Sequence, residues 1–141
     1  MEEVPQEPPK TLTVEEANAL LPQIKPMVLQ LQALQRSIVT TDTELGEANR
    51  KVAAGNGYPI EELKKQISQL ELHQLQLIES FHSVVKQLQD LGAWVKDLNM
   101  GLVDFYGVRG GEYIWLCWKV GEDRIRYWHA LDEGFVGRQE L

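Results

Sequence analysis

Two stretches of this chain carry the same apolar pattern, and each is broken once by a polar residue. In the first, apolar residues from Ala17 through Ile24, Leu31, Ile38 and Leu45 to Val52 recur at alternating steps of three and four, with Thr41 as the interruption. In the second, residues from Ile60 through Ile67, Phe81 and Leu88 to Val95 repeat the pattern around Gln74. Such steps draw one stripe along a helix, and a sustained stripe defines a coiled-coil-like seam. If the chain folds back at Gly55-Asn56-Gly57, facing residue numbers add to one constant, from Val52 with Leu63 to Leu20 with Val95. Thr41 and Gln74 obey the same constant. They are therefore expected to face each other in one polar layer, a device that sets register at some cost in stability.

The ends of these helices carry their own signals. Thr13-Val14-Glu15-Glu16 reads as a capping box, in which Thr13 and Glu16 satisfy each other's backbone amides. Glycines 55 and 57 supply a left-handed stop, and Pro59 suits the first turn of the second helix. Pro22 and Pro26 each remove a helical donor, so a bend is expected near residues 21–25. Leu21, Val28, Ile78 and Val85 widen the stripe at the end away from the loop, which calls for a further apolar partner. Leu72 and Leu75 lie off the seam, and their exposure would favour self-association.

Composition narrows the partners. A chain of 141 residues can bury one core without metal or disulfide help. Its net charge of −7 argues against nucleic acid and anionic membrane, which select surfaces rich in Lys and Arg. Cys117 is the only cysteine, which fits a reducing compartment. No membrane-spanning run and no secretory leader are present, so the expected setting is cytoplasmic. The acidic, proline-bearing residues 1–12 read as a disordered leader, with residues 13–141 as a single domain: a helical hairpin over 13–95, then a sheet and tail over 96–141.

The second part rests on a change of period. Nine of the eleven aromatic residues lie from Trp94 onward, where alternation in twos replaces the helical steps. Strands are predicted at 102–106, 112–120 and 124–129, separated by Gly107, Gly110 and Gly111 and by Gly121-Glu122-Asp123. The fold class is therefore α+β: a long antiparallel two-helix hairpin followed by a small three-stranded antiparallel sheet. A two-residue connection between the last two strands would put Ile114, Leu116, Trp118, Val120, Ile125 and Tyr127 on one apolar face against the helices. Trp115, Cys117, Lys119, Arg124, Arg126 and Trp128 would then face outward. Trp118 is expected to be buried and Trp115 exposed. Trp115, Arg124 and Trp128 are the candidate partner surface, since Trp and Arg dominate binding hot spots and stack on each other.

Chemistry, if present, belongs at the end of the chain. Asp104, Arg126, His129, Asp132 and Arg138 are the candidate ligand-binding residues. His129 with Asp132, Glu133 and Asp104 has the makings of a metal or acid–base site, and Arg138 of an anion clamp. The spacing matches no established metal motif, so no metal ligands and no cofactor are assigned. The plainer alternative is a His129 hydrogen-bonded within the sheet and an Asp132 closing a turn. Cys117, in mid-strand between Leu116 and Trp118, reads as a packing residue.

Several of these segments together resemble one family. They are Thr13-Val14-Glu15-Glu16-Ala17-Asn18-Ala19-Leu20-Leu21-Pro22, Gly101-Leu102-Val103-Asp104-Phe105, Leu116-Cys117-Trp118, Gly121-Glu122, Tyr127-Trp128-His129, and Gly134-Phe135 with Gly137-Arg138-Gln139. The chain is similar to the bacterial proteins grouped as domain of unknown function 2203. The resemblance implies a small cytoplasmic bacterial protein and carries no activity, cofactor or catalytic residue with it. The leading expectation is a non-enzymatic interaction or scaffold protein that forms homo-oligomers, with a different protein as the alternative partner. The rival is a small-ligand or metal-binding domain, open to enzymatic use, with its site at the C-terminal sheet and tail.

Overall fold

The computed structural model describes residues 9–141. Two helices, α1 (Val14–Ala54) and α2 (Ile60–Leu91), pack together and precede five strands: β1 (Trp94–Asp97), β2 (Leu102–Arg109), β3 (Glu112–Lys119), β4 (Tyr127–Ala130) and β5 (Gln139–Glu140). The strands form one antiparallel sheet in chain order. By contact the chain divides into two compact units, Leu31–Val84 and the remainder. No helix among the described residues is long and apolar enough to cross a membrane.

The unit Leu31–Val84 is the part of the hairpin nearest its turn. Gly55 and Gly57 take φ of +77° and +83°, conformations that a side chain would strain. Leu31, Thr41, Ala48, Leu63 and Val84 are buried, whereas Leu34, Ile38, Leu45, Ile67, Leu70, Leu77 and Phe81 are half-buried. That is the expected pattern where each seam residue is covered by a single partner helix. The two polar residues do share the seam. Gln74 donates from Nε2 to the Ile38 carbonyl across the hairpin at 3.1 Å. Thr41 instead donates to the Ser37 carbonyl of its own helix at 2.8 Å. Gln74 Oε1 is left buried without a partner among the described residues. Leu72 and Leu75 are 58% and 53% exposed.

The other unit comprises residues up to Gln30 together with Val85–Leu141. Its first turn carries the expected capping box: the Thr13 amide donates to Glu16 Oε1 at 3.0 Å, and the Glu16 amide to Thr13 Oγ1 at 3.1 Å. These bonds hold the Glu16 carboxyl below its ordinary range. α1 runs on through Pro22 and Pro26, both on its exposed side, where carbonyls freed by the missing amides can turn to water. Of the expected leader, residues 1–8 lie outside the described residues. Leu12 is buried and its amide donates to the Tyr106 carbonyl at 2.8 Å.

Three sequence expectations need correction. The second helix does not reach Val95. Gly92, at φ +98°, ends it: the Gly92 amide bonds the Gln89 carbonyl and the Ala93 amide the Leu88 carbonyl, which together make a Schellman stop. Val95 then belongs to β1, so its pairing with Leu20 across two helices does not exist. Second, the sheet has five strands, because β1 and β5 add short edges too brief for a period of two to reveal.

The third correction concerns the faces. Gly110 and Gly111 make the two-residue turn between β2 and β3, at φ +60° and +80°, and the register follows: Asp104 stands opposite Cys117 and Phe105 opposite Leu116. Between β3 and β4, however, residues 120–126 form a longer loop. The Ile125 amide donates to Asn18 Oδ1 at 2.7 Å instead of pairing in the ladder. Leu116 consequently faces Trp128, and Cys117 faces Tyr127. This register inverts the side assigned to each residue of β4. Trp128 joins Ile114, Leu116 and Trp118 on one face, while Tyr127 and His129 join Trp115 and Cys117 on the other. Val95, Val103, Phe105, Leu116 and Trp118 of the first face are buried, as are Ala17, Leu21, Ile24, Val28 and Leu88 of the helices. Each of the Val, Leu, Ile and Phe side chains contributes about 1.5–3 kcal/mol.

Candidate functional site

The second face of the sheet was expected to be an outer surface, and it is not one. Trp115 is only 5% exposed. Tyr106, its cross-strand partner, lies against it with ring centroids 3.9 Å apart, and Lys96 places its ammonium 3.9 Å from the ring centre. The tail closes the far side of this face. Phe135, in a short 3-10 turn (Phe135–Gly137), lies under Lys119 at 5.6 Å, and Arg138 stacks on both Tyr127 and Phe135.

Beneath this cover three ionisable side chains meet. Asp104 from β2, Cys117 from β3 and His129 from β4 are 1%, 0% and 2% exposed. One potential ligand atom from each lies within 4.8 Å of the other two. His129 Nε2 is 2.9 Å from Asp104 Oδ2, and its Nδ1 is 2.9 Å from the Ala130 carbonyl oxygen. Asp104 Oδ1 has no hydrogen-bond partner among the described residues.

The electrostatics follow from burial and from this pairing. Burial alone would lower the His129 pKa. The bonds to Asp104 and to the Ala130 carbonyl, together with the Asp104 charge, outweigh it and leave the imidazole above its ordinary value. The Cys117 thiol is pushed up to about 12, first by burial and then by the negative charge of Asp104. A nucleophilic cysteine requires the opposite shift and an open approach. Cys117 has neither.

A cleft of about 460 Å³ opens beside this cluster, with Asp104 and His129 in its lining. Lys96, Asp97, Asp132, Glu133, Trp115 and Phe135 also line it. Of the residues singled out in the sequence, Asp104, His129 and Asp132 therefore come together, and Trp115 is with them rather than on a surface. Arg124 and Arg126 do not join them: both line a separate recess of about 390 Å³ with Asn18 and Glu140. Arg126 is exposed and tied to Asp123 at 3.0 Å. Arg138 lies on the cluster's face, where it pairs with Glu122 at 2.6 Å and reaches the Cys117 carbonyl at 3.5 Å. Its work there is to fasten the tail. Trp128 is half-buried under Arg109, at 4.7 Å.

Cys117, Lys96, Asp97 and Phe135 are the site residues that sequence reasoning missed. A signal for the first existed, because the Gly110-Gly111 turn by itself places Asp104 opposite Cys117. Nothing marked Lys96, which depends on the unforeseen β1.

The molecule is thus a two-helix hairpin joined to a five-stranded meander with a buried Asp–Cys–His cluster. The chain belongs to the family described as uncharacterized conserved protein (DUF2203), whose model matches residues 10–141. No curated protein and no solved structure matches it.

Proposed function

We propose that this chain is a small-ligand-binding protein whose site is the cleft between the second sheet face and the tail. One observation carries the reading: the cleft has the volume of a small-molecule site, and a fully buried Asp104–His129 pair forms part of its wall. A buried ionic pair contributes little net stability compared with an apolar replacement, so its presence beside a cleft suggests use. The lining favours one ligand charge. Asp97, Asp104, Asp132 and Glu133 outnumber Lys96 and His129, which suits a small molecule bearing an amino group and an apolar body for Trp115 and Phe135. An anion held by arginines, the other form of this reading, finds none in the lining. A lone cysteine fits a reducing compartment, and we take the cytoplasm as the setting.

Ligand-observed NMR with a panel of small alkyl and aryl amines, and small carboxylates as controls, tests this. Amines are expected to bind with Kd below about 1 mM. Asp132→Asn with Glu133→Gln should weaken them at least fivefold without changing the circular dichroism. Equal binding of carboxylates, or no binding of any probe up to about 10 mM, overturns the reading.

A second reading rests on a different observation. Val39, Leu72 and Leu75 are 60%, 58% and 53% exposed on a unit whose seam is itself half-buried. Self-association through this unit would cover them, with the chain acting as a homo-oligomeric scaffold.

A further inference from the structure

The Asp104–His129 contact contains a conflict of polarity that the cluster itself can resolve. The Ala130 carbonyl can only accept a hydrogen bond, so the hydrogen of a neutral His129 ring sits on Nδ1, 2.9 Å from that oxygen. Nε2 then carries a lone pair, and it points at a carboxylate oxygen 2.9 Å away. Two acceptors at that distance need a positive charge between them. Asp104 Oδ1 is likewise buried and makes no well-formed hydrogen bond among the described residues; only the weakly donating Cys117 thiol stands near this carboxylate. An acceptor left poorly matched in the interior is costly, and more so when it is charged. A proton held by the pair answers the first point and leaves the second to the weak thiol donor. A divalent cation answers both.

The third member of the cluster points the same way. Cys117 lies on the same face, opposite Asp104 across the ladder, and its sulfur completes the set of three donor atoms within 4.8 Å of one another. A carboxylate, a thiolate and a neutral imidazole balance a divalent ion to zero net charge, which is the form a buried site favours. The bond from Nδ1 to a backbone carbonyl is the usual way in which a protein aims Nε2 at a metal. Around tetrahedral zinc, bonds of about 2.0–2.3 Å set donors roughly 3.3–3.8 Å apart, so the present spacing needs only a small adjustment. The mixed sulfur, nitrogen and oxygen set suits zinc better than the hard cations, which take oxygen alone.

We infer that Asp104, Cys117 and His129 bind one zinc ion, with the fourth coordination position facing the cleft that Asp104 and His129 line. This deepens the ligand-site reading, because the ion stands in the wall of the same cleft. Three protein ligands and an open position are the arrangement that lets a metal meet water or a small molecule. The three ligands come from three adjacent strands, which is why no sequence spacing announces them.

Cobalt(II) is the probe. Full-length protein is stripped with a chelator and titrated with Co²⁺ alone. Because Cys117 is the only cysteine, a thiolate-to-cobalt charge-transfer band in the near ultraviolet identifies it as a ligand without any variant. The band is expected to saturate at one ion per chain and to vanish on adding one equivalent of Zn²⁺. Asp104→Asn and His129→Gln should each weaken Zn²⁺ binding at least tenfold while the circular dichroism is retained. Zinc should also raise the melting temperature of the wild type, and chelator should reverse the rise. Cobalt binding without the band, or no saturable binding by either ion, overturns the inference. Running the amine panel on stripped and zinc-loaded protein separates the two readings. Amine binding without zinc binding removes only the metal, and zinc binding without amine binding removes only the small-molecule ligand.

Discussion

The two units of this chain solve the problem of burial in different ways. In Leu31–Val84 one apolar stripe on each helix meets its counterpart, and most seam residues stay half-buried with the polar Thr41 and Gln74 among them. In the sheet unit both faces of β3 are covered, so that five consecutive residues from Ile114 to Trp118 are buried. The covered second face then holds an acid, a thiol and an imidazole out of water. Covering one face of a sheet is enough for stability. Covering the second creates an interior in which charge is costly and can be put to use.

The largest test of this contrast lies in the tryptophans, all four of which belong to the sheet unit. Trp118→Ala and Trp115→Ala should each cost about 3–5 kcal/mol in urea denaturation, since each removes a buried ring from one side of β3. A loss below about 1 kcal/mol for Trp115 would return that ring to the surface and leave the unit with one covered face.

Next come the buried ionisable groups. His129→Ala in metal-free protein should cost roughly 3 kcal/mol, because it strands the Asp104 carboxylate. The pH dependence has a definite sign. The His129 pKa is raised in the folded state, so its contribution is complete below its unfolded value near 6.5 and fades as pH rises through the folded value. Cys117 is raised from 9.0 to about 12, so folded protein retains a proton that the unfolded chain has lost, and stability falls again across that interval. Urea midpoints measured from pH 6 to 11 should decline in both windows for the wild type, and His129→Gln should remove the first. A flat profile would mean that the cluster is open to solvent.

The two polar seam residues of the other unit predict a smaller effect of opposite sign. Thr41→Leu with Gln74→Leu should stabilise by about 1 kcal/mol, since Gln74 Oε1 has no partner to lose. The change should appear in helical circular dichroism and leave tryptophan fluorescence untouched if the two units unfold separately. Smallest of all, Leu72→Glu with Leu75→Glu should alter monomer stability by no more than about 0.5 kcal/mol. Sedimentation velocity is the readout there. A shift to smaller species would support self-association, and an unchanged profile would remove it.

The difference between the units also decided what the sequence could reveal. Helical periodicity depends on local steps, so the hairpin, its Gly55–Gly57 turn region, the Thr13 capping box and the shared seam of Thr41 and Gln74 were all legible. Where periodicity was trusted too far, it carried α2 past Gly92 to Val95, although the glycine was the stronger local signal. Sheet faces are set by parity across connections, which is not local. The Gly110-Gly111 turn made one parity readable. Residues 120–126 hid the other, because Asn18, more than a hundred positions away, takes the Ile125 amide. That single long-range bond accompanies the inversion of β4, and with it the placement of His129. Asp104 and His129 stand out in the sequence for their chemistry, and the structure brings the two side chains to 2.9 Å. Cys117 was set aside as packing because nothing in its neighbours along the chain shows what lies two strands over.

The two connections flanking β3 therefore differ in how much drift they can absorb over generations. Adding one residue to the Gly110-Gly111 turn would either force a bulge or turn Asp104 away from Cys117, so lineages that keep this cluster should keep that turn at two residues. The loop at 120–126 sets no such parity by its length, although Glu122 and Ile125 anchor it. Lengthening it away from those two anchors costs only a few tenths of a kcal/mol in closure entropy, while the ladder between β3 and β4 keeps His129 in place. Insertions and deletions among relatives should collect there, and the chain's freedom to vary would be confined to one side of the strand that carries its cysteine.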